Sequence, residues 1–362
     1  MIERITRFSY LLMTDSRTDM ERPPTNGVLE DFRIDFLECW QRLPNKGFFF
    51  VLLAGWLALF HFLGSSTLGY VHSPSLFSFM LSAYHPNLAG WLRTLNLNAV
   101  GHWLSESEEG HCILAPFVVL GLYWWKRKAL MALPLRLWPP GLLVIGAALL
   151  LHVFAFLVQQ PKLSIVALLT GLYGVMGLAW GPAWLRGGFF PFFLLAFCIP
   201  LGSLAQPITF NLRLLVCRLV EFVCNTFLAI DVQRRGTALI SPTGHYQYEV
   251  EAACSGLRSL IATVGLATVF AFVSFHRWWK RGLLVAVAFP LAVLGNLGRM
   301  LAIVIAAEMA GQAAGNRVHE GGPLGVFSLL PYLLAFLGLL LVGHWLRERP
   351  PPTPIPPDTK TL

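Results

Sequence analysis

Apolar and polar positions alternate along this chain in long blocks. Eight predominantly apolar runs fall at about residues 48–64, 112–125, 139–158, 163–180, 189–205, 255–275, 282–308 and 324–345. A transmembrane helix needs about 20 such residues, and several of the runs qualify. The pattern predicts an all-α polytopic membrane protein with about eight transmembrane helices. Residues 1–45 are polar and mixed in charge, and read as a cytoplasmic N-terminal tail with no cleavable signal peptide. Residues 46–345 then form the transmembrane domain, and residues 346–362 a Pro-rich cytoplasmic C-terminal tail.

Composition points to lipid as the main solvent. Of the 362 residues, 56% are hydrophobic and 13% charged, against roughly 25% charged in soluble proteins. The net charge of +8 raises nucleic acid as a partner. However, the basic residues gather in short clusters between apolar runs, with no basic stripe carrying interleaved aromatics. They fit the positive-inside pattern instead. "KRK" at 126–128, "HRWWKR" at 276–281 and "RER" at 347–349 are therefore placed in the cytoplasm, with Arg33, Arg42 and Lys46 in agreement. Eight spans then put both termini inside, and segments 65–111, 206–253 and 309–323 outside.

Two outer segments carry patterns of their own. In "NLRLLVCRLVEFVCN" at 211–225, Asn211, Arg218 and Asn225 recur every seven residues, with Glu221 near the same face. This predicts an extracytoplasmic amphipathic helix in the interface. The alternative, a ninth and poorly apolar span, would invert the topology downstream. "GTALISPTGHYQYEVE" at 236–251 reads as a small β-hairpin around Ser241-Pro242-Thr243-Gly244, delivering the chain to "ACSG" at 253–256.

That stretch is chemically unusual. The reactive form of cysteine is the thiolate, and an ordinary thiol has a pKa near 8.5. Cys254 lies where an apolar helix begins. The positive helix end and Arg258, one turn on, both favour the thiolate. Ser255 is placed to cap the helix, and Gly256 leaves room for a substrate backbone. Counting from the cytoplasmic Arg281, Arg299 lies 18 residues along the seventh span, at a depth comparable to Cys254. An arginine there costs about 2.5–3.5 kcal/mol to insert, so it is a functional candidate unless it snorkels to the headgroups. Asn296, one turn earlier, is placed to hold its guanidinium. His319 lies in an outer loop, "GNRVHEGGPLG". Near a thiolate, histidine serves as general base and then general acid, while arginine keeps its proton and suits an oxyanion. The other cysteines form no CxxC or CxxxxH pattern, so no metal site is expected. Cys198, Cys217 and Cys224 read as small packing residues.

With "ACSG" at 253–256, "NLGR" at 296–299 as an Asn-x-x-Arg motif, and His319 following in this order, the chain resembles the exosortase/archaeosortase family of membrane transpeptidases. The resemblance runs over about residues 48–345. It implies Cys254 as nucleophile, with Arg299 and His319 completing a triad, and no cofactor. Upstream, "EGHCILAPFVVLGLYWWKRK" resembles the family's His-Gly segment and marks His111, with Cys112 standing where the family has glycine. Pro323 stands where a glycine often follows the histidine. The resemblance further implies secreted protein substrates bearing a C-terminal sorting signal of the PEP-CTERM type: a short motif, a transmembrane helix and an arginine-rich tail. The product is passed to an acceptor or to water, at the extracytoplasmic face of the cell inner (cytoplasmic) membrane. A membrane cysteine protease needs the same thioester. A non-enzymatic transporter or polysaccharide-export component is the reading from a different class.

Overall fold

The computed structural model describes residues 28–63, 75–84, 111–201, 206–249, 257–321 and 326–347. They divide into two compact units, Met1–Ile208 and Thr209–Leu362.

The first unit contains α1 (Val28–Arg42), α2 (Lys46–Phe62), α3 (Leu76–Tyr84), α4 (His111–Trp125), α5 (Arg127–Met131), α6 (Gly141–Leu157), α7 (Pro161–Gly187) and the short α8 (Phe189–Phe193). Helix α7 is its axis, and its glycines explain why. A methyl group at Gly171 would overlap the Trp56 ring of α2, and one at Gly174 would meet Ile145 Cγ1 of α6 at 2.9 Å. Small residues let the helices approach closely, which is how apolar helices associate where water supplies no drive. Trp56 also donates its indole N–H to the Leu168 carbonyl at 2.9 Å.

Helix α7 breaks at Gly181, whose φ of 90° is open to glycine, followed by Pro182. Proline has no N–H to give, so carbonyls of the preceding turn lose their intrahelical partner. Each is taken up from outside the helix. Trp138 N–H donates to Leu178 O at 3.1 Å, Asn45 Nδ2 to Ala179 O at 3.1 Å, and Arg136 N–H to Trp180 O at 3.4 Å. The kink is thus held by the chain just before α2 and just before α6.

One sequence expectation changes here. The run 189–205 does not form one helix: α8 gives way to a 3₁₀ turn at Leu194–Cys198 and extended backbone at Ile199, with Pro191 and Pro200 bracketing the break. Five α-helical and five 3₁₀ residues rise about 18 Å together, well short of the about 30 Å hydrocarbon core. Within the first 45 residues, α1 occupies Val28–Arg42 and packs on α5.

The second unit contains α9 (Gln206–Val223), strands β1 (Gln233–Arg235), β2 (Ala238–Ile240) and β3 (Gln247–Glu249), then α10 (Leu257–Ser274), α11 (Trp278–Ala310), α12 (Gln312–His319) and α13 (Val326–Trp345). The strands form an antiparallel meander, β1-β2-β3, with Leu239 opposite Tyr248. Strand β1 thus joins β2 and β3 as a third strand. The polar residues of α9 and of the turn after it explain it. Glu221 accepts from the Arg234 backbone N–H at 3.1 Å and from its Nε at 3.3 Å, while the Asn225 amide pairs with both N–H and C=O of Val232. Glu221 of α9 and Asn225 of the π-helical turn after it (Cys224–Leu228) thus hold β1 and the residue before it, and the apolar side of α9 enters the core through Val216, Cys217 and Val220.

Among the described residues, α7 and α11 are each long and apolar enough to cross a membrane, and α1 with α2 pass that test as a pair despite a 92° bend. Cations close the helix ends around 276–281. Lys280 donates to Leu346 O at 2.7 Å and Arg281 to Phe275 O at 2.6 Å, so the C-terminal ends of α10 and α13 meet the start of α11.

Candidate functional site

Helices α10 and α11 form a packed hairpin that turns at His276 and Arg277. Leu257 lies nineteen residues before His276 and Gly295 nineteen after it, so the start of α10 is level with the Asn296–Arg299 turn of α11. That turn is tightly packed. A methyl at Gly295 would meet Pro331 O of α13 at 2.4 Å, and one at Gly298 would meet Leu334 Cδ1 at 2.7 Å. Asn296 is buried at 2% exposure. Two glycines therefore press this turn against α13 and leave Arg299 little freedom of position.

Arg299 is half-buried and donates from Nη2 to the backbone carbonyl of His319 at 3.1 Å. His319 is the last residue of α12, rather than part of an irregular loop. Gly311, with φ 79°, separates α12 from α11. The carbonyls of a final helical turn lack intrahelical partners and carry partial negative charge, so a guanidinium suits this point. The bond occupies one of arginine's five N–H groups. Arg299 Nε is buried without a hydrogen-bond partner among the described residues.

The sheet is fixed to the same place. The Gln312 side chain pairs with both backbone groups of Gln247: its Oε1 accepts from N–H at 2.9 Å and its Nε2 donates to C=O at 3.2 Å. It thereby acts like a neighbouring strand for β3. Tyr248 donates its hydroxyl to Gln312 O at 3.0 Å and packs against Gly315. Beneath lie Tyr246, Leu239, Val216 and Val220, packed with Met300, Ile303 and Ala307 of α11. Burial pushes the Tyr248 phenol above its ordinary pKa, so it stays a donor at neutral pH. Gln312 and Gly315 carry no role in the sequence pattern, and Tyr248 enters it only through its place in the alternation before Cys254. The alternation of Tyr246 and Tyr248 was the one available sign of a buried strand face.

Of the residues the sequence singles out, the structure brings Arg299 and His319 together and buries Asn296 beside them in the chain. Cys254, Ser255 and Gly256 lie outside the described residues, as do the side chains of Arg258 and His111. In the chain, Cys254 falls five residues after the end of β3 and three before the start of α10. The family model for transmembrane exosortases matches residues 103–341. The chain belongs to that family. The matched span is narrower than the 48–345 of the sequence resemblance: it runs from just before α4 into α13 and leaves α1, α2 and α3 outside. No curated protein and no solved structure matches the chain. The exosortase match includes His111, Cys254, Arg299 and His319, so every residue assigned by resemblance lies within the family region.

Proposed function

We propose that this exosortase-family protein is a cysteine transpeptidase or peptidase. In this reading it crosses a cell inner membrane about eight times and cleaves C-terminal sorting signals of the PEP-CTERM type from secreted proteins at the extracytoplasmic face. The observation that carries the reading is the Arg299–His319 bond of 3.1 Å, which joins two residues twenty apart that chemistry and resemblance nominate together.

His319 takes the proton from Cys254 Sγ. The thiolate adds to the carbonyl carbon of a peptide bond near the sorting motif. Arg299 binds the oxyanion through donors other than the one holding His319, in a site where such a donor is worth about 10²–10³ in rate. Collapse breaks the C–N bond, and His319 protonates the departing amine of the anchor helix. A thioester remains on Cys254, and an acceptor amine or water resolves it. Arg258 and the helix start favour the thiolate, Ser255 caps the helix, Gly256 admits the substrate, Asn296 braces Arg299, and His111 supports the site.

The test is Cys254→Ser in cells that carry a sorting-signal substrate. Loss of processing with normal membrane insertion supports thiol catalysis. Unchanged processing removes it and favours a transporter or export component, which has no use for a thiol.

A further inference from the structure

Helix α1 lies before the family region, and the proposed reaction gives it no role. It is well formed: Glu30 and Asp31 occupy its first turn and Arg42 its last, each complementing the helix dipole. Exposed ion pairs run along it, Arg42–Glu38 at 2.7 Å and Arg33–Glu30 at 3.6 Å. At 100° per residue its surface divides into three sectors. One flank docks on the protein: the Phe32 ring lies 4.6 Å from that of Trp124, and Asp35 pairs with Arg127. A second sector, with Glu30, Asp31 and Glu38, is mainly charged, with Ile34 exposed among them. The third presents Leu29, Phe36, Trp40 and Leu37, which are 85%, 46%, 40% and 44% exposed, with the exposed Arg33 between Trp40 and Leu37 reaching out to Glu30 at the sector's edge.

The setting says what covers that third sector. Helix α1 meets α2 at 92°, so when α2 stands across a bilayer α1 lies along its surface. The exposed apolar face adjoins that of α2, where the Trp40 ring lies 5.6 Å from Phe50 in a tilted contact, and Phe48 and Val51 are also exposed. Lys46 bridges the corner, donating to Trp40 O at 2.8 Å, and Lys126 reaches Gly187 O at 3.4 Å at the same end. A polar helix with one aromatic-rich apolar side, at the basic end of a membrane domain, has the composition of an interfacial helix.

We propose that α1 is an in-plane helix of the cytoplasmic leaflet, with Leu29, Phe36, Leu37 and Trp40 inserted among the lipid acyl chains. Its attachment is apolar rather than electrostatic, because the helix carries four acidic residues against two arginines.

The experiment uses the full chain in phosphatidylcholine vesicles, with nitroxides placed through Leu29→Cys, Leu37→Cys, Asp31→Cys and Glu38→Cys in a background free of native cysteines. Oxygen and nickel-chelate accessibility are compared at each site. The expected oxygen-to-nickel ratio is several-fold higher at 29 and 37 than at 31 and 38, and unchanged when anionic phosphatidylglycerol is added. Nickel access at 29 and 37 equal to that at 31 and 38 would overturn the proposal. So would low access to both reagents with spin–spin broadening, which means a second copy covers the face, or insertion only with anionic lipid. Should the cysteine-free background fold poorly, p-benzoylphenylalanine at position 37 or 38 of the otherwise native chain reads the same surface. Lipid adducts at 37 and not at 38 support it, and equal or absent lipid adducts refute it.

Discussion

Gly315→Ala tests whether the contact between β3 and α12 governs the site. The added methyl would lie 2.0 Å from Tyr248 Oη, 2.8 Å from its Cζ and 2.9 Å from Ala307 Cβ. Tyr248 is buried, so it must shift, giving up its 3.0 Å bond to Gln312 O. A lost hydrogen bond costs about 0.5–1.5 kcal/mol, and overpacking about 1–3 kcal/mol. Alanine returns about 1 kcal/mol of helix propensity. The net expectation is a loss of about 1–3 kcal/mol, or on the order of 5 °C in the melting transition of detergent-solubilised protein. Well below that transition, turnover of a sorting-signal substrate should still fall roughly tenfold or more, because the displaced strand leads the chain towards Cys254. Tyr248→Phe removes the atom in the worst clash. The double variant should therefore be more stable than the sum of the single losses, by about 1 kcal/mol. Additivity within about 0.5 kcal/mol, or a Gly315→Ala protein as stable and active as the parent, would refute the reasoning.

Arg299→Lys keeps the charge and loses the planar fork. Processing should fall on the order of a hundredfold while membrane insertion persists, and near-normal turnover would leave Arg299 only the task of anchoring the His319 carbonyl. Burial pushes the Cys217 and Cys224 thiols up to about 11, so a maleimide at pH 8 should leave both unmodified until the protein is denatured. The unfolded thiols ionise near 9 and the folded ones not until about 11, so the neutral thiols add stability below pH 9 that is lost as pH rises towards 11. The melting temperature should drop across that interval, and a flat profile would contradict the burial of these groups. His245→Cys and Asn316→Cys should each react with an impermeant thiol reagent on intact cells. Labelling only after permeabilisation would reverse the topology and the proposed face of the site.

The legible parts of this protein were those set by long-range periodicity. Apolar runs marked the positions of α2, α4, α6, α7, α10, α11 and α13, because apolar helix surface is a property of the local sequence. Arg299 was legible because a cation in an apolar run is costly wherever the chain goes. What the sequence hid depended on partners remote in the chain. Glu221 and Asn225 read as one polar stripe, yet both grip β1 and the residue before it, which only the meander brings near. Gln312 looks like any polar residue after a helix, until its amide meets the edge of β3. Helix α1 was hidden by its composition: its apolar residues are spread around charged ones, and the packing of Phe32 on Trp124 is what gives them a side. The break at 189–198 followed from prolines that an average over apolar residues does not weigh.

The measurement that bears most directly on the reading as a cysteine acyl-transfer enzyme is the C-terminal mass of a secreted protein. That protein carries a sorting motif, a transmembrane helix and an arginine-rich tail, and is co-expressed with this chain or with its Cys254→Ala variant at equal membrane levels. The account predicts loss of the helix and tail with the parent chain, leaving a free carboxylate or an amide-linked adduct, and an intact C-terminus with the variant. The same truncated mass with both, or no truncation with either, would contradict it.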